Sequence, residues 1–339
     1  MIPARWIAEH LERGTLRSSR VANAVSQGLS HCYEAVADPR LRSRVEIPSG
    51  VHTIGIGSAV FGGAGKTMVA IAYARAMRHA GHRVAFVAHG YGAKPRDPVV
   101  CVGHERVSDV GDDALVAARE LRDVGVQVWV GADRDSVLRH ASRSAEVLVI
   151  DGLLQSRPRA VDRSVLVIDA ACSCDAWACP PLGDYRGSLD GLLSLANEVV
   201  VVRDEFDSPR ELSLGRWTGI RKEREAVLVV TGFRGDSGVC SFADLAGLRL
   251  GYASLLAHPE RVLKTLRLRG VEPVSVWSGS DHGPLDRKGA MELRNLSKAH
   301  NLSAWIVSTK CACHFANQDI GASQIVIQVH VKLSPELLI

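Results

Sequence analysis

Long apolar runs are missing from this chain of 339 residues. No stretch reaches the roughly 18 consecutive apolar residues that a membrane-spanning helix needs. The opening Met1-Ile2-Pro3-Ala4-Arg5-Trp6 also lacks the apolar core of a signal peptide, so a cytoplasmic protein is expected. Aromatics are few, at 5%, and no run of Lys and Arg alternates with stacking residues. That excludes a groove for single-stranded nucleic acid. Cysteine is scarce, and 8 in a chain this long are too few for a disulfide framework. Neither charge sign dominates: Lys+Arg 41 against Asp+Glu 37 leaves +4, which calls for no nucleic-acid partner. There is no internal repeat. With 46% hydrophobic and 23% charged residues, a disordered tail, a collagenous chain and a coiled coil are all excluded. At about 150 residues per domain, the length suggests two domains.

What is present is an alternation of short apolar strands and helical patterns. Strands are expected at 52–56, 83–88, 126–130, 147–150, 164–168 and 198–202, with helices at 68–80, 112–123 and 133–143 among the intervals. Such a pattern predicts an α/β fold, a parallel sheet covered on both faces. Residues 206–225 turn polar and charged and read as a linker. Beyond it the alternation restarts, with strands at 226–231, 274–277, 304–307 and 324–331 and helices at 259–269 and 285–300. The expected organisation is an N-terminal helical segment plus a P-loop domain over 1–205, and a smaller α/β domain over 226–339 closing the cleft.

The strongest chemical signal is Gly62-Gly63-Ala64-Gly65-Lys66-Thr67 between a strand and a helix. Glycines let the backbone curl so that successive N–H groups face phosphates at the positive end of a helix dipole. In such a loop Lys66 reaches the β/γ-phosphates and the Thr67 hydroxyl ligates Mg²⁺. The usual first glycine is Val60 here. A second Mg²⁺ anchor is usually an Asp ending a neighbouring apolar strand. Asp151 and Asp169 both follow V-L-V-I, and an Asp in that place equally caps a helix.

The whole pattern resembles the tetraacyldisaccharide 4′-kinase family, the lipid A 4′-kinases. The family's G-N-L-T-x-G-G-T-G-K-T is matched by residues 57–67 and likewise lacks the first generic glycine. Its S-R-G-Y-G-G-K is matched by Ala88-His89-Gly90-Tyr91-Gly92-Ala93-Lys94, and its V-G-D-E-P by Val110-Gly111-Asp112-Asp113-Ala114. V-G-x-x-R appears as Val130-Gly131-Ala132-Asp133-Arg134, and D-D-G-x-Q-H aligns with Asp151-Gly152-Leu153-Leu154-Gln155-Ser156. L-P-A-G-P-L-R-E aligns with residues 179–187, which include Arg186. Further on, G-I-G-N-P-E-R-F, D-H-H and T-E-K-D resemble residues 255–262, Asp281-His282-Gly283 and Ser308-Thr309-Lys310-Cys311. The matches keep order and spacing over about residues 50–315.

The resemblance implies a kinase that uses ATP and Mg²⁺ to phosphorylate the 4′-hydroxyl of an acylated glucosamine disaccharide 1-phosphate. It implies work at the cytoplasmic face of the inner membrane, with peripheral contact. Residues 62–67 would bind ATP, Thr67 and Asp151 would hold Mg²⁺, and His89, Tyr91 and Arg186 would lie on the acceptor side. Asp112 and His282 would orient or deprotonate the acceptor hydroxyl; by spacing alone, Asp112 reads more often as the N-cap of the helix it opens and His282 as a surface residue. Several family residues are replaced here: Gly152 for Asp, His89 for Arg, Gly187 for Glu, Gly283 for His and Cys311 for Asp. Asp113 and Asp169 are the stand-ins for the carboxylate lost at Gly152. Two other readings stand beside the first, a nucleotide-binding paralogue without transfer and a P-loop kinase for a soluble acceptor. Cys172, Cys174 and Cys179, and Cys311, Cys313 and His314, suggest zinc, but their spacing is not C-x₂-C and reduced thiols acting as small hydrophobes are the simpler reading.

Overall fold

The computed structural model describes residues 20–38, 46–90, 93, 97–153, 161–170, 178–208, 223–235, 238–279, 285–316 and 318–334. It divides into two compact units, one of Met1–Arg203, Pro209–Val227 and Lys332–Ile339, the other of Asp204–Ser208 and Leu228–Val331.

The first unit begins with helix α1 (Arg20–Ala37) and strand β1 (His52–Ser58), followed by α2 (Lys66–His79), β2 (Val84–Val87) and β3 (Val99–Cys101). Helices α3 (Val107–Val110) and α4 (Asp112–Glu120), strand β4 (Gln127–Val130) and α5 (Arg134–Ala141) come next. β5 (Val147–Asp151), β6 (Arg163–Asp169), α6 (Leu189–Leu195) and β7 (Glu198–Asp204) complete it. The strand order is β7-β6-β1-β5-β2-β4-β3, and every pairing is parallel except β3 with β4. The expected parallel sheet is therefore present. Its central strands are apolar runs because helices cover both faces: every residue of β5 is buried, as is all of β1 after His52. Ala85, Val87, Leu148 and Ile150 pack with Val137, Leu138 and Ala141 of α5.

The second unit contains most of β8 (Glu223–Gly235), then β9 (Gly238–Cys240), β10 (Leu250–Ser254), α7 (Pro259–Leu268) and β11 (Ser275–Ser278). α8 (Arg287–His300), β12 (Ala304–Ser308), α9 (Thr309–Phe315) and β13 (Ser323–Leu333) follow. The order β11-β10-β12-β13-β8 carries β9 on β8. Period-two alternation separates its faces. Leu250, Tyr252, Ala304 and Ile306 join Leu266 of α7 in one core, while Ala253, Trp305 and Val307 join Leu293 of α8 and Phe315 of α9 in the other.

Short elements escape the sequence pattern. β3 is three residues long, and α6 interrupts its apolar spacing with Gly191. The Cys311, Cys313 and His314 segment is the helix α9, with both thiols buried. The Leu255 N–H donates to Cys311 Sγ at 3.2 Å, and burial raises that thiol's pKa. Cys172 and Cys174 lie outside the described residues. Among the described residues no three His, Cys, Asp or Glu gather as metal ligands, and no helix is long and apolar enough to cross a membrane.

Candidate active site

Parallel strands put their carboxyl ends on one edge of a sheet, and that edge is where α/β proteins bind ligands. In the first unit it brings together the loop after β1, His89 after β2, Arg134 at the start of α5 after β4, Asp151 ending β5 and Asp169 ending β6. The loop sits where the chain, having built β2, β4 and β5 on one side of β1, crosses to β6 on the other.

The loop's conformation follows from its glycines. Gly63 and Gly65 have φ of 77° and 73°, a left-handed region that side chains with a Cβ disfavour. Gly65 is the N-cap of α2, and its carbonyl accepts the Val69 N–H at 3.0 Å. Helix α2 is anchored by Val69, Ala70, Ile71, Tyr73 and Ala74, all buried. Lys66 and Thr67 are thus the first residues of a fixed helix whose amino end faces the loop.

Asp151 lies beside Ile56 in the β1–β5 pairing and is fully buried. Its Oδ1 forms an ion pair with Lys66 Nζ, and its Oδ2 accepts the Thr67 hydroxyl at 3.0 Å. One Arg134 Nη donates to the Asp151 main-chain carbonyl at 2.9 Å. A carboxylate, an ammonium and a hydroxyl meeting at the mouth of a glycine loop form the donor set that a Mg²⁺–triphosphate requires. The side chains present fit that group.

His89 stands in the same field. Burial, then the positive charges of Arg134 and Lys66, push its pKa down to about 4, against the pull of Asp151 and Asp113. It is a neutral imidazole at physiological pH. Asp112 opens α4 at 5% exposure, and its Oδ1 accepts the Asp113 N–H at 2.8 Å. Asp169 is buried at the end of β6. Gly152 has φ of 64°, so the position without a carboxylate is also a left-handed turn. Tyr91 and His282 lie outside the described residues.

Arg186, expected on the acceptor side, has its guanidinium against the glycine loop: Nε donates to the Val60 carbonyl at 2.7 Å and an Nη to that of Phe61. The V-G-x-x-R match contains Arg134 but implies no task for it. The signal for it is its position at the start of the helix that follows the parallel strand β4.

A model of the family "Tetraacyldisaccharide-1-P 4'-kinase" (LpxK) matches residues 24–338. The chain belongs to this family. Among curated relatives, the tetraacyldisaccharide 4'-kinase of Rhizobium meliloti is 31% identical, over 75% of this chain and 69% of that one. The same-named protein of Afipia carboxidovorans is 30% identical, over 81% of this chain and 78% of its own. That of Parvibaculum lavamentivorans is 29% identical, over 77% and 72%. A crystal structure of LpxK from Aquifex aeolicus in complex with ATP superposes with TM-score 0.66 at 18% identity, covering 92% of this chain and 95% of that one. That likeness supports the fold. Membership makes the chain an enzyme, a kinase of lipid A biosynthesis, and a kinase with this loop works with ATP and Mg²⁺.

Proposed function

We propose that the protein transfers the γ-phosphoryl group of ATP to the 4′-hydroxyl of an acylated glucosamine disaccharide 1-phosphate. The observation that carries this reading is the convergence of Lys66 and Thr67 on the buried Asp151 at the glycine loop. ATP supplies the phosphoryl group, and Mg²⁺ neutralises charge on its oxygens. The N–H groups of Gly62, Gly63, Ala64 and Gly65 receive the phosphate oxygens, Lys66 neutralises their charge, and Thr67 and Asp151 hold the cation.

Asp112, with His282, accepts the proton of the 4′-hydroxyl as its oxygen bonds to phosphorus and the bond to ADP breaks. By the family resemblance, His89 and Tyr91 serve the acceptor side. A neutral His89 in place of a fixed cation leaves a site that recognises its acceptor with hydrogen bonds more than with charge.

The lipid is reached through peripheral contact with the cytoplasmic face of the inner membrane. Val25, Leu29 and Val36 on α1 are 58%, 56% and 86% exposed, and with exposed Cys32 they recur at helical spacing as one stripe. Ser26, Ser30 and Ala37 bury the neighbouring face of the same helix.

The test is transfer of labelled phosphate from ATP to the acylated disaccharide 1-phosphate in detergent, with Lys66→Ala as blank. Transfer that vanishes in the blank is expected. Nucleotide binding without transfer would overturn the reading in favour of a paralogue that has lost the reaction, and transfer to a water-soluble acceptor alone would overturn the lipid assignment.

A further inference from the structure

The first half of the glycine loop is gripped from outside. Val60 forms an isolated antiparallel bridge with Tyr185, the Phe61 N–H donates to the Asp184 carbonyl at 3.2 Å, and the Arg186 N–H donates to the Ala59 carbonyl at 2.8 Å. Onto this backbone pairing Arg186 adds its side chain. Nε takes the Val60 carbonyl at 2.7 Å, an Nη takes the next carbonyl, that of Phe61, and the guanidinium carbon lies 5.1 Å from the centre of the Phe61 ring. The Ser58 hydroxyl donates to the same Val60 carbonyl at 2.8 Å. Tyr33 of α1 meets the Phe61 ring edge-on, with centroids 6.4 Å apart, and α1 is itself tied down by the Ser30 hydroxyl on the Cys179 carbonyl at 2.8 Å.

The consequence follows from the planarity of the peptide unit. In a trans peptide the C=O of one residue and the N–H of the next point in opposite directions. Holding the Phe61 carbonyl on Arg186 therefore turns the Gly62 N–H the other way. Gly62 and Gly63 cannot set this orientation themselves, because glycine leaves the backbone free to adopt either. Where the generic loop has a first glycine, this chain has Val60 in a bridge, and the preorganisation comes from a side chain more than a hundred residues later in the sequence.

We propose that Arg186 is a positioning residue for the nucleotide: by holding the Val60 and Phe61 carbonyls and stacking on Phe61, it fixes the start of the glycine loop in its phosphate-receiving form. Phe61 and Tyr33 brace that grip. Hydrogen bonds from an ionised donor are the stronger ones, and Arg offers a planar fork that Lys lacks. The inference goes beyond the proposed transfer reaction and needs only nucleotide binding.

The test is equilibrium binding of ATP and of ADP to the full chain carrying Arg186→Ala, Arg186→Lys or Phe61→Leu, with binding of the acylated disaccharide 1-phosphate measured beside them. Arg186→Ala is expected to weaken ATP and ADP equally, by about tenfold, since loop geometry and not the γ-phosphate is affected. Arg186→Lys should recover only part of that loss, and the Phe61→Leu effect should shrink in the Arg186→Ala background. Acceptor affinity should stay unchanged. Loss of acceptor binding with ADP affinity intact, or loss of ATP affinity without loss of ADP affinity, would overturn the proposal. An Arg186→Ala protein that fails to fold moves the decision to Arg186→Lys, where full ADP affinity would equally overturn it. A wild-type chain that binds no nucleotide would instead refute the kinase reading, so the two failures are distinct.

Discussion

At the carboxyl ends of the strands of the first unit, Asp151 is fully buried and meets a lysine and a threonine hydroxyl. At the amino ends of the same sheet Glu198, 2% exposed, meets a different set. Arg163 donates to it through Nε at 2.7 Å and Nη2 at 3.3 Å, the Tyr73 hydroxyl donates at 2.6 Å, and Arg224 Nε lies 3.7 Å away. Arg163 also stacks 5.1 Å from the Tyr73 ring centre. Burial, then the charge of Glu198, raises the Tyr73 pKa, so the phenol stays a donor. Both carboxylates are buried and both are paired, yet the partners differ in kind. A planar arginine fork with a stacked phenol has one good arrangement. A lysine on a flexible stem and a small hydroxyl can exchange a carboxylate for phosphate and metal. Helix α2 contributes to both ends, Lys66 and Thr67 to one and Tyr73 to the other. The fixed end makes the exchangeable end possible.

The sharpest break in that comparison is kinetic. Lys66→Ala and Asp151→Asn should each lower turnover by about 10²–10³, the loss seen when one preorganised electrostatic group is removed. Glu198→Gln should leave kcat/KM for both substrates unchanged in the same phosphate-transfer assay. A Glu198 variant that lost turnover while still folded would make the two ends one functional network.

Stability should reverse the ranking. Removing Glu198 takes away the buried carboxylate that Arg163 grips with both ends of its fork and that holds the Tyr73 hydroxyl. Glu198→Ala should therefore cost about 3–5 kcal/mol in denaturant unfolding. Asp151→Asn should cost less, because the amide oxygen can still accept the Thr67 hydroxyl and the Lys66 ammonium sits on a flexible stem that can turn toward water. Equal losses would remove the distinction between fixed and exchangeable pairing.

How much of this was legible in the sequence follows the range of the interactions. The central strands announced themselves as short apolar runs, the glycine loop by its composition, and Asp151 and Asp169 alike by their place at a strand end, the resemblance choosing Asp151. The α/β class was readable from those local signals, and the kinase family from the resemblance carried by motifs in order over about residues 50–315. The grip of Arg186 on Val60 and Phe61, and that of Arg163 on Glu198, join residues far apart through long side chains, and no local period reports them. β3 escaped because three residues after Pro98 carry too little alternation. Cys311 and Cys313 drew attention as potential ligands, whereas their burial on α9 makes them core residues.

Gly152 sharpens the exchangeable end. Its φ of 64° means that Gly152→Asp restores a carboxylate beside Asp151 only by forcing a side chain into the left-handed region. The expected result is a loss of about 1 kcal/mol in a melting experiment, together with a lower Mg²⁺ requirement for transfer. An unchanged Mg²⁺ dependence would mean that a carboxylate already present, Asp113 or Asp169, fills that role.

The smallest effect concerns His89, which shows how the exchangeable end handles a titratable group. Its pKa, pushed down from 6.5 to about 4, lies below the unfolded value, so the unfolded chain takes up the proton first as pH falls. The neutral imidazole's contribution to stability is therefore complete above about pH 6.5 and is lost progressively toward pH 4. His89→Gln should flatten the fall in melting temperature between pH 7 and pH 5, while the transfer rate between pH 6 and pH 8 keeps its wild-type shape. His89→Arg puts a permanent cation beside Lys66 and Arg134, which already disfavour a charge there, and should lower the melting temperature at every pH. A rate profile that lost an inflection near pH 6.5 in His89→Gln would mean that the imidazole titrates at its ordinary value, and that Lys66 and Arg134 are turned away from it at the moment of transfer.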